Sequence, residues 1–481
     1  MEKTITPTRI AIAIILFVGL FSATHLTAMP RIFFDEALTI EIARNMELYG
    51  VLDILTEPGK FSGVPYITGS SGYPITLPLA LFFKLFGFGF FQARIYALTL
   101  LLATLIVSWF FVKQFWNDSY ATAGLALITG FASLHDSGRR VMGDIPGFAL
   151  LLLGLYLLIK KDRPYIAGLF FGLAIAAKPS VYLLIIPALI ITHLLTDWRS
   201  SLRKLLPIGI GVLLPTSAWI LLQFPNPLSG HTWQMAISFY KNAYGSSYSF
   251  WVSFIQNIKS FGSQSTLIYF SLLAIPTFFA FKEKFIKRDW LTIFFFSYGL
   301  FDLIYFLKSP GTIRYLLPLQ LILLLLLPAT ISWAVIKLQE LVAFTRKISP
   351  QYLAIVAITS LASLHFVQFL FFSSVPVKNT AHLDVLNFLT RYKTETIGVV
   401  SSPHIAAFIS PTQKLHYLRL TDQIIFGINP LSLPLNQLPD VVVIPNGYIK
   451  EVPLSPVEKG HLERYSLAYD GKWQIYELTP R

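Results

Sequence analysis

The sequence predicts an α-helical, polytopic membrane protein with about eleven transmembrane helices. It also predicts interfacial helices in the first outer loop and a small C-terminal α/β domain outside the membrane. Three observations lead there. Of 481 residues, 54% are hydrophobic and 13% charged, about half the charged share of a soluble domain, and mean hydropathy is +0.61. The apolar residues fall into runs near the ~20 residues that cross a bilayer at 1.5 Å per residue. The cations behind the net charge of +13 cluster between those runs, as in cytoplasmic loops.

Composition also removes function classes. No basic stretch is interleaved with aromatics on a polar domain, so nucleic-acid binding is not expected. There is no cysteine, hence no disulfide, thiol nucleophile or Cys-ligated metal. No phosphate-binding loop, zinc-protease motif or Gly-x-Ser-x-Gly elbow occurs.

The first apolar run is 10–29, preceded by Lys3 and Arg9. Its length fits an uncleaved anchor better than a signal peptide. Further runs are 92–112, 120–134, 144–159, 165–177, 180–195, 205–222, 265–281, 290–307, 313–336 and 351–373. With the N-terminus inside, the cytoplasmic gaps carry Lys113, Lys160 to Arg163, Arg199 to Lys204, Lys282 to Arg288, and Lys337 to Lys347. Each is basic, so the positive-inside rule supports a cytoplasmic N-terminus and an extracytoplasmic C-terminal domain.

The outer segments are 30–91, 135–143, the turn at 178–179, 223–264, 308–312 and everything beyond 374. In the first, Ile40, Ile42 and Met46 recur near helical spacing among Glu41, Arg44 and Glu47, the pattern of an interfacial helix. Leu77, Leu81 and Leu85 predict a second helix over 75–86. From 375 the composition changes. Asp384 to Tyr392 reads as helix, and Thr396 to Val400, Asp440 to Ile444 and Trp473 to Glu477 as strands. This gives a domain of about 105 residues, enough to fold alone.

Ionisable residues at helix ends within apolar sequence are candidate functional groups, because charge there is costly. They fall on the outer side: Asp35 and Glu36 after the first run, Arg139, Arg140 and Asp144 in Arg-Arg-Val-Met-Gly-Asp, Lys178 at a turn, and Arg314 with Tyr315 at a helix start. Each alone has a structural explanation. Asp35, Glu36 and Asp144 suit helix N-termini, Lys178 and Arg314 can snorkel, and Arg139-Arg140 can meet anionic lipid. Their shared side argues for a site. His231 lies in the outer loop 223–264 among Trp233, Tyr240, Tyr244, Tyr248 and Trp251, where a membrane-interface belt is favoured over sugar stacking. Asp302 is left open.

Four stretches carry a resemblance. They are Phe33-Phe-Asp35-Glu36-Ala-Leu; Tyr73-Pro74 through Gly87 with Gln92-Ala-Arg94; Arg139 to Leu158 with Asp144-Ile-Pro146; and Gly168-Leu-Phe-Phe-Gly172 running to Lys178-Pro179. A weaker fifth is Arg314-Tyr315-Leu-Leu-Pro318. In this order they resemble the polyprenyl-phosphate-dependent glycosyltransferases of the GT-C superfamily, notably the protein O-mannosyltransferase and aminoarabinose-transferase (ArnT-like) group. The resemblance covers about 10–330. It implies a GT-C-like transmembrane glycosyltransferase domain over 1–374, followed by the small α/β domain over 375–481. One motif departs: where aminoarabinose transferases carry a Lys-Pro-Pro-like motif, this chain has Ser70-Ser71-Gly72-Tyr73-Pro74. That leaves the donor open and offers Arg139 or Arg140 for the phosphate.

The resemblance implies inverting transfer of a sugar from a polyprenyl-phosphate donor to a lipid, glycan or protein acceptor. Asp35 is the expected base and Asp144 its catalytic partner. Glu36, Tyr73, Arg139, Arg140, Lys178, His231, Arg314 and Tyr315 are the expected substrate-binding residues. The leaving phosphate stays anionic, so it needs cations rather than an acid. No cofactor is required and no metal ligand is assigned, although Asp35, Glu36 and Asp144 offer oxygens of the kind that hold a divalent cation. A transporter or flippase for lipid-linked sugars is the main alternative, but transporters place such groups near the midplane on broken helices. A glycan polymerase or ligase would share the substrates and differ in the acceptor.

Overall fold

A computed structural model describes residues 6–196, 201–241, 250–308, 313–342, 348–374, 381–393, 395–409, 415–420, 425–426, 429–446 and 454–479. Of the sequence expectations, Lys3, Arg199, Tyr244, Tyr248 and Lys347 lie outside the described residues. The chain divides into two compact units: one within 1–26, 94–219 and 248–375, the other within 27–93, 220–247 and 376–481.

The first unit is helical. Every apolar run read from the sequence contains helix: Pro7–Ala23, Phe90–Phe115, Asp118–Thr129, Asp144–Lys161, Pro164–Ala177, Pro179–Tyr182 with Ile185–Thr196, Ser201–Gln223, Ser265–Ile286, Trp290–Lys308, Leu317–Leu341 and Pro350–Ser374. Among the described residues, seven helices are long and apolar enough to cross a membrane, while Pro7–Ala23 and Pro164–Ala177 are shorter apolar helices. Proline opens several of them, its fixed φ suiting the first turn. The first helix stops at Ala23 rather than near 29. The Thr24 hydroxyl donates to the Phe21 carbonyl at 2.6 Å, and His25 follows at φ +52°. The 120–134 run is broken after Thr129, with a short helix, Ala132–Gly138, beyond it.

Helix contacts use small residues. A Cβ on Gly168 would lie 2.2 Å from the Ile208 carbonyl oxygen, and one on Gly211 would lie 2.2 Å from that of Tyr165. The Pro164–Ala177 and Ser201–Gln223 helices therefore touch backbone to backbone, the close approach that glycine permits between apolar helices.

The second unit is α/β. The helix Phe34–Tyr49 is followed by a small hairpin, β1 (Leu55–Glu57) with β2 (Lys60–Phe61), and by the helix Tyr73–Phe86. The C-terminal strands are β3 (Ile397–Val400), β4 (Leu415–Leu420), β5 (Ile425–Phe426), β6 (Val441–Pro445), β7 (Tyr465–Asp470) and β8 (Trp473–Leu478). They form one sheet in the order β5-β4-β3-β6-β8-β7. β3 is parallel to β4 and β6, and β8 is antiparallel to β6 and β7. The apolar runs at β3 and β6 are buried throughout except for Pro445, as parallel strands covered on both faces must be.

Both helices expected in the first outer loop form. Phe34–Tyr49 is buried continuously from Glu36 to Asn45. Leu38, Ile42, Leu52 and Ile54 share one apolar core with Val385, Ile397, Val399, Val441, Val443, Trp473 and Ile475. The loop and the C-terminal strands thus fold on a common core. The Arg44 guanidinium donates to the Ala407 carbonyl at 2.9 Å and lies over the Phe88 ring.

Candidate functional site

In the first unit, the polar candidates gather where several helices begin or end. Asp144 opens its helix. The preceding turn is pressed onto the end of the Pro164–Ala177 helix: a Cβ on Gly143 would lie 2.0 Å from the Ala177 carbonyl oxygen and 3.2 Å from Lys178 Cβ. This contact sets Lys178 beside the Asp144 turn. One turn further, a Cβ on Gly147 would lie 2.2 Å from the Tyr182 ring, and the Tyr182 hydroxyl donates to the Asp144 carbonyl. Lys178 and Asp144 are both buried.

Arg314 completes this group. Its Nε lies 3.6 Å from Asp144 Oδ1, with the two side chains 10% and 1% exposed. Its Nη1 meets Met142 Sδ at 3.3 Å. Tyr315 is buried, packs edge-on against Tyr305 with ring centroids 5.8 Å apart, and lies beside the Arg314 guanidinium. Asp144, Lys178, Arg314 and Tyr315, which the sequence singled out separately, therefore belong to one neighbourhood. A buried carboxylate beside fixed cations forms a preorganised electrostatic environment.

The two other arginines have identified structural partners. Arg139 Nη2 donates to the Thr24 carbonyl at 3.0 Å, and Arg140 pairs with Asp136 at 2.8 Å, one turn back. Sequence reasoning missed Arg94, Tyr182 and Tyr298, and left Asp302 open. Arg94 is fully buried within electrostatic reach of Arg139. Asp302 is buried near the Leu319 amide and within electrostatic reach of Tyr182 and Tyr298. Isolated polar residues inside apolar helices were the available signal.

In the second unit, Asp35 lies in the first turn of its helix and is half-buried. Glu36 is buried, and its Oε2 accepts from the Phe33 amide at 3.2 Å as the returning half of a helix cap. Adjacent residues point about 100° apart around a helix, so capping engages Glu36 while Asp35 projects elsewhere. Tyr73 opens its helix and packs against the common core. His231 is exposed in the first turn of Gly230–Lys241. Its neighbour Trp233 donates to the Pro227 carbonyl at 2.7 Å and packs on Phe224, which also stacks on Tyr66.

This unit also carries a basic patch that the sequence did not disclose. Burial, and then the positive charges of Arg31, His382 and Lys472, push the His404 imidazole down to about 3. The His404 ring lies edge-on to Phe34, next to Asp35 in the chain, and 6.0 Å from Trp473. Among the described residues, no cluster of three or more His, Asp or Glu side chains suits a metal ion.

The chain is an integral membrane protein with a helical unit and an α/β unit, and it resembles the ArnT and protein mannosyltransferase group. Residues 75–221 match the family described as dolichyl-phosphate-mannose-protein mannosyltransferase. ArnT from Cupriavidus metallidurans in the apo state superposes with a TM-score of 0.65 at 14% identity, covering 98% of this chain and 99% of that one. The same protein bound to undecaprenyl phosphate gives 0.58 at 16% identity, with 98% of each covered. The Archaeoglobus fulgidus oligosaccharyltransferase AglB, in complex with an inhibitory peptide and a dolichol-phosphate, gives 0.56 at 10% identity, covering 95% of this chain and 72% of that one. No curated protein matches the sequence.

Proposed function

We propose that this protein is a membrane glycosyltransferase that moves a sugar, with inversion, from a polyprenyl-phosphate carrier to an acceptor hydroxyl on the extracytoplasmic face. The observation that carries the reading is the buried Asp144 carboxylate, 3.6 Å from Arg314 and adjoining Lys178, in a fold shared with proteins whose structures hold undecaprenyl phosphate and dolichol-phosphate. The positive-inside distribution of the loop cations supports the choice of face.

Asp35 is the proposed base that accepts the acceptor hydroxyl's proton as the C–O bond forms. The bond from the anomeric carbon to the phosphate oxygen breaks, and the carrier leaves as its phosphate. Lys178 and Arg314 stabilise the charge that gathers on that phosphate. Arginine contributes a planar fork of donors and lysine a point charge. The anomeric carbon passes through an oxocarbenium-like state, as in glycoside hydrolysis. Asp144 holds Arg314 in place and orients the acceptor. The leaving phosphate stays anionic, so no proton donor to it is needed.

The test is release of free polyprenyl phosphate from a panel of polyprenyl-phosphate sugars by the purified protein. Release matched by sugar on an acceptor supports the reading. Movement of intact donor across proteoliposomes without release would replace it with a flippase.

A further inference from the structure

A second feature of the first unit lies away from Asp144. A cavity of about 500 Å³ opens among the Ser265–Ile286, Trp290–Lys308 and Leu317–Leu341 helices. Its walls are apolar, with Ala274, Phe295, Leu303, Leu319 and Leu323 along its length. Lys160, Lys284, Trp116 and Trp290 stand at one end. From Trp290 to Leu303 the cavity follows its helix for about 20 Å, and Lys160 lies about 24 Å along its own helix from Asp144.

The charge at that end is positive. Lys160 lies 4.8 Å over the Phe115 ring, and Lys284 lies 5.8 Å and 5.5 Å from the Trp116 and Phe281 rings. The nearby carboxylate of Asp289 is engaged as a helix cap, accepting from the Thr292 amide at 3.0 Å and its hydroxyl at 2.6 Å. Indole rings and lysines at a helix end mark the depth of lipid head groups. An apolar slot about 20 Å long takes an acyl chain, and basic pockets between spanning helices select anionic head groups.

We propose that this cavity binds an anionic glycerophospholipid, its phosphate between Lys160 and Lys284 and an acyl chain along Phe295, Leu303 and Leu323. The lysine end of the site lies about 24 Å along a helix from Asp144, and the site is assigned by charge and shape alone.

The test uses the full chain in phosphatidylcholine vesicles containing brominated phosphatidylglycerol or, for comparison, brominated phosphatidylcholine. Quenching of indole fluorescence is read against a Trp116→Phe/Trp290→Phe control. Each lysine is expected to contribute about fivefold, giving about a twenty-five-fold preference for the anionic lipid. Lys160→Gln/Lys284→Gln should bring the ratio near one, and Ala274→Phe should lower quenching of Trp116 and Trp290 by both lipids. A wild-type ratio of one, or an unchanged ratio in the double variant, overturns the proposal. So does displacement of bound phosphatidylglycerol by equimolar polyprenyl phosphate, which would assign the cavity to the carrier. Because the readout is binding, its failure is separable from failure of the transferase reading.

Discussion

Arg314 Nε stands 3.6 Å from Asp144 Oδ1, and both side chains are withdrawn from solvent. Removing one member strands the other in a low-dielectric site, which costs about 3–5 kcal/mol. Arg314→Gln is therefore expected to lower the melting temperature in detergent markedly. Asp144→Asn/Arg314→Gln should regain part of that loss, since it removes both charges of the pair. A double variant that is no better than the sum of its parts would show that the two groups do not interact.

Gly143 is a packing requirement. A methyl group there would lie 2.0 Å from the backbone oxygen of Ala177, and backbone cannot swing aside as a long side chain does. Gly143→Ala is expected to cost about 3 kcal/mol and to lower donor turnover by moving Lys178 and Asp144 apart. Unchanged melting and turnover would contradict the contact.

Lys178 is fully buried beside that turn, and the proposed function uses its charge on the leaving phosphate. Lys178→Met keeps much of the volume and removes the charge. Turnover is expected to fall about a hundredfold or more while the melting temperature changes little or rises. Loss of fold with activity per folded molecule unchanged would assign Lys178 a structural role.

Glu41 makes the second unit sensitive to pH. Burial raises its carboxyl from 4.5 to about 8, while the Leu55 amide and Arg44 pull the other way. The folded protein therefore holds a proton that the unfolded chain releases between those values. Stability is expected to fall as pH rises through that window, by on the order of 3 kcal/mol, and to level off above it. Glu41→Gln should flatten this dependence, read as melting temperature between pH 5 and 8.5. Parallel slopes for the two proteins would refute it.

The helices were legible because apolar runs of spanning length need no partner to declare themselves. Three strands, at 397–400, 441–445 and 473–478, were legible for the same reason: two are buried runs and one alternates. β7 was missed because most of its side chains are exposed or half-buried. The common core of Leu38 and Ile42 with Val399 and Val443 joins residues more than 350 apart, and no local pattern records that pairing. At the candidate site, the residue types and their shared side were readable from helix ends. The Asp144–Arg314 contact and the buried position of Arg94 depend on tertiary packing, whereas the Glu36 cap is a local contact three residues long.

The proposed transfer has Asp35 as its base. The most direct measurement offers purified wild type and Asp35→Asn the same panel of radiolabelled polyprenyl-phosphate sugars with acceptor lipids, glycans and peptides. Donor binding is followed in parallel. Sugar transfer by the wild type is expected, with a loss of at least a hundredfold in the variant and donor binding retained. Equal transfer by both proteins would contradict the role given to Asp35, and no transfer by the wild type to any acceptor would contradict the function.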